Sequence, residues 1–298
     1  MVPVSRSLSR GGSGGGETVW AASLRTWLRV PELPEVETIR RQLRSEIINQ
    51  TVVRAGSHES QKFLPAREIM GRRFTELTRR GKYLIAECDG HKELIVHLGM
   101  TGQLLIDRGE QGSTMLDQYQ RAWWSLDNGK TVVFRDVRRF GRIAVVDKGD
   151  YSQIPTLRDM GPEPFSAELT GDEVWRRTRG RTRRIKTQLL SQRLIAGVGN
   201  IYADEALFIA RINPSLRSIS GPQAQRLLDA VRTVLSEAIE RGGTTLRDYR
   251  NLEGEGSNQH HLKCYGRGGQ VCFVCAATLR SRIIDARTTT WCPQCQAR

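Results

Sequence analysis

No run of about eighteen apolar residues occurs in this 298-residue chain, so no segment is fit to cross a bilayer as a helix. Acidic residues are also in short supply: 32 Asp and Glu face 46 Lys and Arg, a formal charge of +14. That imbalance suits a polyanionic partner, nucleic acid first and an anionic membrane surface second. No basic amphipathic helix with a large apolar face stands out, which argues against the membrane. Cysteine is sparse, six residues in all, and four of them close the chain as C-x2-C, sixteen residues, C-x2-C. Disulfide frameworks belong to small secreted domains. In a large basic chain without a secretory signal, the spacing of Cys272, Cys275, Cys292 and Cys295 reads instead as a four-thiolate zinc site. Leu, Ile, Val and aromatic residues run through most of the length, which excludes wholesale disorder and allows two domains with separate cores.

Residues 1–30 differ from the rest. Arg6, Arg10, Arg25 and Arg29 face a single acid, Glu17, around the run GGSGGG, so the positive surplus belongs mostly to the body. A segment of this kind reads as an organelle transit peptide or a disordered tail. After it, PELPEVETIRRQL offers Pro34 for a first helical turn, Glu35 and Glu37 for its positive end, and Val36, Ile39, Leu43 and Ile47 for one face. Short β-type runs follow at 51–54, 83–87, 94–98, 103–106, 122–126, 131–135 and 143–146, separated by turn signals such as Asp89-Gly90 and Asn128-Gly129. The second half predicts helices near 166–178, 183–194, 200–210 and 222–241, the last closed by Gly242-Gly243. The expected fold is a multidomain α+β protein. A catalytic domain at 31–158 would carry one helix and an antiparallel β-sandwich. A helical DNA-binding domain would span 159–263 and a zinc finger 264–298.

Nine motifs then occur in order: PELPEVET at 31–38, GKYL at 81–84, HLGMTG at 97–102, RDVRRFG at 135–141, DMGPEP at 159–164, GVGNIYADE at 197–205, GGTTL at 242–246, YGRGG at 265–269 and the paired C-x2-C. Together they resemble the bacterial formamidopyrimidine-DNA glycosylases across essentially all of 31–298. The resemblance implies a helix–two-turn–helix in the second domain and a β-hairpin zinc finger with one structural zinc. It implies a bifunctional enzyme that excises oxidised purines, 8-oxoguanine and formamidopyrimidines, from double-stranded DNA and then cuts the strand by β,δ-elimination. It also implies a monomer, bacterial and cytoplasmic, with organelle import through residues 1–30 as the alternative.

The family's nucleophile is an N-terminal proline amine, which maps to Pro31. An α-amine titrates near 8, so part of it is uncharged at neutral pH. Glu32 is implied as the acid that protonates the sugar ring oxygen. In this sequence Pro31 follows Val30, where the family has its initiator Met, and an amide nitrogen has no lone pair for attack. Translation from codon 30, read through a GTG codon, or cleavage after Val30 would free it. Lys82 is implied as a phosphate contact and proton carrier, and Arg287 as a phosphate ligand and donor in the second elimination. Met100, Arg138 and Phe140 match the side chains that fill the void left by a flipped nucleotide. Asn200 in GVGN, Arg181 in the basic run WRRTRGRTRRIK, and His97 are implied on the DNA side. Three departures stand out. Tyr119 occupies a position that often holds His, Val137 replaces a proline, and Ala276 replaces the Gly after the second zinc Cys. Two rivals remain at this stage: an endonuclease VIII-type enzyme for oxidised pyrimidines, disfavoured by Leu33 and the Arg138/Phe140 pair, and a non-catalytic zinc-finger DNA-binding protein if residues 1–30 are retained.

Overall fold

The computed structural model describes residues 31–108, 118–245, 251–252 and 254–297, and the extension expected at 1–30 lies outside them. The first element is helix α1, Leu33–Ile47. Its start is fixed locally: Pro34 sits in the first turn, and the Glu35 carboxylate reaches back 2.9 Å to accept the Glu32 N–H. Val36, Ile39, Leu43 and Ile47 face the sandwich core, while Leu33 packs into the core of the helical domain. One helix therefore enters both cores, and its N-terminus opens between them.

Two four-stranded antiparallel sheets make the sandwich. One has the order β1-β6-β7-β5, with β1 at Val52–Ser57, β5 at Gly102–Asp107, β6 at Gln120–Leu126 and β7 at Thr131–Asp136. The other runs β2-β3-β4-β8, with β2 at Phe74–Arg80, β3 at Tyr83–Cys88, β4 at Lys92–His97 and β8 at Arg142–Asp147. Strand β2 has no counterpart among the expected runs. Its pairing with β3 slips between Phe74 and Glu76, so its buried residues, Phe74 and Leu77, stand three apart and the alternation is lost.

Beyond a short helix α2, Pro155–Arg158, lies the helical domain. Helix α3 is Gly171–Thr178, shorter than 166–178 because Thr170 Oγ1 accepts the Glu173 N–H at 3.2 Å and caps it there. Helix α4 is Ile185–Leu190, α5 is Asn200–Ile209 and α6 is Gly221–Glu240. The region expected helical to 194 leaves the helix at Ser191 and turns into α5. Strands β9, Arg280–Ile284, and β10, Arg287–Trp291, form the final hairpin.

This hairpin is stitched to the helices by a fully buried ion pair. Lys186 Nζ of α4 lies 2.7 Å from Asp204 of α5 and donates to the Thr288 carbonyl and Thr289 Oγ1 of β10. Asp204 in turn accepts the Thr290 N–H at 2.9 Å. Burial lowers the Lys186 pKa and lifts that of Asp204 to about 6, and each charge restrains the other's shift. Removing one member of such a pair costs about 3–5 kcal/mol, because the other is left buried and unpaired.

The four C-terminal thiols converge

The sulfurs of Cys272, Cys275, Cys292 and Cys295 lie within 4.8 Å of one another. Tetrahedral coordination at a metal–sulfur distance of about 2.3 Å requires sulfurs about 3.8 Å apart. The Cys275–Cys292 and Cys272–Cys295 separations, 3.3 and 4.0 Å, bracket that value. Backbone N–H groups of Val274 and Cys295 point at the sulfurs of Cys272 and Cys292, which suits thiolates. The group can therefore bind a metal ion.

Ala276, which follows the second cysteine, holds φ +58, a conformation that suits glycine. Ala276→Gly should therefore stabilise the metal knuckle by about 0.5–1 kcal/mol, the relief of Cβ strain less the added freedom of the unfolded chain. Slower metal release to a chelator is the expected reading; faster release would contradict it.

Candidate active site

The N-terminus of α1 meets the N-terminus of α5 in the interior. The Glu32 carboxylate accepts N–H groups from Gly199 at 2.7 Å, Ile201 at 2.9 Å and Tyr202 at 3.4 Å. Glycine at 199 is a requirement of this approach, since a Cβ there would fall 2.2 Å from the Glu32 carboxyl carbon. Burial pushes the Glu32 pKa up to about 7; Lys82 and the backbone donors pull it down, and neighbouring Glu35 adds to the rise. Pro31, beside it, is buried.

Glu35 is the second carboxylate of the site, and the sequence reading took it only as a charge favouring a helix start. One oxygen holds the Glu32 N–H; the other accepts the Tyr202 hydroxyl at 2.6 Å and the Thr244 N–H at 2.7 Å. Burial raises its pKa too. Glu35 thus ties the entry of α1 to α5 and to the turn after α6. Its position in PELPEVET was the available signal; its partners were not.

Lys82 sits in the β2–β3 turn, part-buried. Burial lowers its pKa, Glu32 and Glu35 oppose the shift, and Arg287 deepens it. Glu163 holds that turn in place: its carboxylate accepts the Gly81 N–H at 2.7 Å, Arg79 at 2.8 Å and Arg80 at 2.9 Å. His97 lies alongside, its ring 4.7 Å from that of Tyr83. Burial, with Lys82 and Arg142 nearby, takes its pKa down to about 4, so it is neutral at physiological pH and its Nδ1 accepts the Gly99 N–H. Four predicted residues from distant parts of the chain, Glu32, Lys82, His97 and Arg287, thus share one electrostatic neighbourhood next to Pro31.

A second group lies on the loops between β4 and β5 and between β7 and β8. Asp136 organises both, accepting the Thr101 hydroxyl at 2.5 Å and the backbone N–H groups of Arg138 and Gly141. Arg121, buried and unremarked in the sequence, donates to the Asp136 carbonyl at 2.7 Å. Phe140 is 49% exposed, which removes core packing as its reason for being there. The Arg138 guanidinium stands 5.1 Å over its ring, and Met100 on the facing loop is part-buried. Tyr119 lies under the Arg135 guanidinium at 4.9 Å. Asn200 is the first residue of α5, with its amide oxygen buried and unpartnered among the described residues. Arg181 occupies the exposed connection between α3 and α4 and donates to the Arg177 carbonyl.

The arrangement pairs a carboxylic acid that keeps its proton near neutral pH with a lysine beside it, and the loops around Asp136 present exposed apolar and cationic side chains. Comparison with known proteins identifies the family. The formamidopyrimidine-DNA glycosylase N-terminal domain matches residues 30–143, and the H2TH domain of the same enzymes matches 160–250. A formamidopyrimidine-DNA glycosylase of Herpetosiphon aurantiacus is 40% identical, the match covering 90% of this chain and 100% of that protein. The crystal structure of the MutM (Fpg) protein from Thermus thermophilus superposes with a TM-score of 0.83 at 42% identity, over 90% of this chain and 99% of that one. A Lactococcus lactis Fpg mutant in complex with Fapy-dG-containing DNA superposes with a TM-score of 0.81 at 31% identity, over 90% and 100%.

Proposed function

Because the chain belongs to the formamidopyrimidine-DNA glycosylase family, and is a DNA glycosylase of base excision repair, we propose that it removes oxidised purines by covalent catalysis at Pro31. The observation that carries this reading is Glu32: adjacent to Pro31 and held protonated up to about pH 7, it is poised as a general acid. In the active form the bond between Val30 and Pro31 is absent, since attack needs a secondary amine. The Pro31 nitrogen forms a bond to C1′ and Glu32 gives its proton to the ring oxygen. The damaged base leaves with the glycosidic electron pair and takes up the proton that the Pro31 nitrogen gives up, and the opened sugar is held as an iminium.

Strand cutting follows from that iminium. Loss of a C2′ proton expels the 3′ phosphate, and a second elimination expels the 5′ phosphate. Lys82 carries protons and contacts phosphate, and Arg287 at the hairpin tip steadies the phosphate leaving in the second step. Met100 and Phe140 replace the stacking lost when the nucleotide flips, and Arg138 pairs with the widowed base. Asn200, His97, Tyr119 and Arg181 line the path of the backbone. The metal at Cys272, Cys275, Cys292 and Cys295 is zinc, matching four thiolates, and its contribution is to stiffen the hairpin. The enzyme acts as a monomer.

Lesion choice tests the proposal. A duplex with 8-oxoguanine opposite cytosine should be cut to phosphate ends at least about ten-fold faster than one with an oxidised pyrimidine, the discrimination that a few polar contacts in a pocket supply. Preference for the pyrimidine would contradict it and favour an endonuclease VIII-type specificity.

A further inference from the structure

Resting on the assignment of Arg287 above, we infer that Asp285 is a positioning residue for strand cutting: clamped to the start of α4, its carboxylate fixes the hairpin tip and so holds Arg287 over the site. Asp285 and Ala286 form the two-residue tip between β9 and β10, with φ +46 and +62. Such a turn favours Asn-Gly or Asp-Gly, and this one has no glycine, so its conformation calls for support from elsewhere. That support is visible. One Asp285 oxygen accepts from Arg184 Nη1 at 3.0 Å, and the other accepts from the Thr187 hydroxyl. Arg184 is the N-cap of α4 and Thr187 lies within the helix.

Asp285 is also the only acid in 280–291, on a hairpin with arginines at 280, 282 and 287. On a surface that must approach phosphates, a lone carboxylate opposes binding. Its presence therefore points to a task other than affinity. The Lys186 and Asp204 contacts hold β10 at Thr288, Thr289 and Thr290, and stop one residue short of Arg287. Asp285 supplies an anchor on the other side, two residues before Arg287. The arginine is thereby bracketed, although its own side chain is exposed.

The two effects of Asp285 have opposite signs, and that makes the inference testable. Whichever form of the protein makes the covalent adduct is assayed in single turnover on an abasic-site duplex, with β- and δ-elimination products separated. In D285A the second elimination should slow about ten-fold, since displacements of an ångström at a reacting group reach 10²-fold. β-product should accumulate, while affinity for the duplex stays equal or tightens. D285N, which keeps one acceptor oxygen, should fall between, and A286G should match the wild type. Metal content and melting temperature are measured alongside. A wild-type product ratio in D285A would overturn the inference, as would a slowing that tracks lost metal, lost affinity or lowered melting. R287A is the control for the underlying assignment: if it leaves the second elimination intact, the role given to Arg287 is what has failed, and the inference falls with it.

Discussion

Glu32→Gln should slow release of 8-oxoguanine by about 10²–10⁴-fold, the usual contribution of a positioned acid, while leaving borohydride trapping on a preformed abasic site largely intact. The split follows from the chemistry. An abasic sugar already opens to an aldehyde, so the amine condenses with it without help at the ring oxygen. Only the base-bearing sugar needs the proton that Glu32 keeps. Gln cannot give that proton, and its amide NH2 would face one of the backbone donors, Gly199 or Ile201, that the carboxylate now satisfies. A stability cost of about 1–3 kcal/mol is therefore expected, and melting measures it separately from the chemistry. If abasic trapping falls in parallel with excision, Glu32 is a structural residue and the acid assignment is wrong.

The same carboxyl sets a pH signature. Its pKa is raised from 4.5 to about 7 by burial, so the folded protein binds this proton more tightly than the unfolded chain does. Its contribution to stability is whole below about pH 4.5 and is lost as the pH rises towards 7. The protonated fraction of Glu32, and with it the acid's share of the excision rate, falls as the pH rises through about 7. A free Pro31 amine, titrating near 8, gains reactivity in the opposite direction. The excision profile is then a flat-topped bell centred between about 7 and 8: below it the amine is protonated, and above about 8 the gain in free amine no longer offsets the loss of the Glu32 proton.

Much of this site could be read from the sequence because its parts are local. The start of α1, the C-x2-C pairs and the glycines of GVGN are set by spacing within a few residues. The excess of Arg and Lys foretold a polyanion without saying where it lies. What escaped was long-range or irregular. Strand β2 was missed because a bulge spoils its alternation. Glu35 looked like a helix-start charge because its second partner, Thr244, lies 209 residues away. Asp285 drew no notice in the sequence because Arg184 and Thr187, which it binds, lie 101 and 98 residues upstream. Resemblance to a family supplied what spacing alone did not: a catalytic role to propose for Pro31 and Glu32. Burial and the shared electrostatics of Glu32, Lys82 and Arg287 are what the structure adds to that proposal.

Pro31 carries the largest effect of all. Joined to Val30, its nitrogen is an amide whose lone pair is delocalised into the carbonyl, and nucleophilic attack is closed to it. Released, it is a secondary amine with about a tenth of its population uncharged at neutral pH. Activity should therefore be all or none with respect to a single peptide bond. Lys82 is the competitor in this neighbourhood, since burial lowers its pKa and brings its amine nearer to reactivity. The decisive measurement is borohydride trapping on a duplex containing 8-oxoguanine opposite cytosine, using protein that begins at Pro31 beside the full 298-residue chain. Intact and peptide mass then locate the adduct. The account predicts a covalent adduct on Pro31 in the form that begins there, and none on the chain in which the Val30–Pro31 bond is intact. An adduct on Lys82, or equal trapping by a chain whose mass shows that bond unbroken, would contradict it.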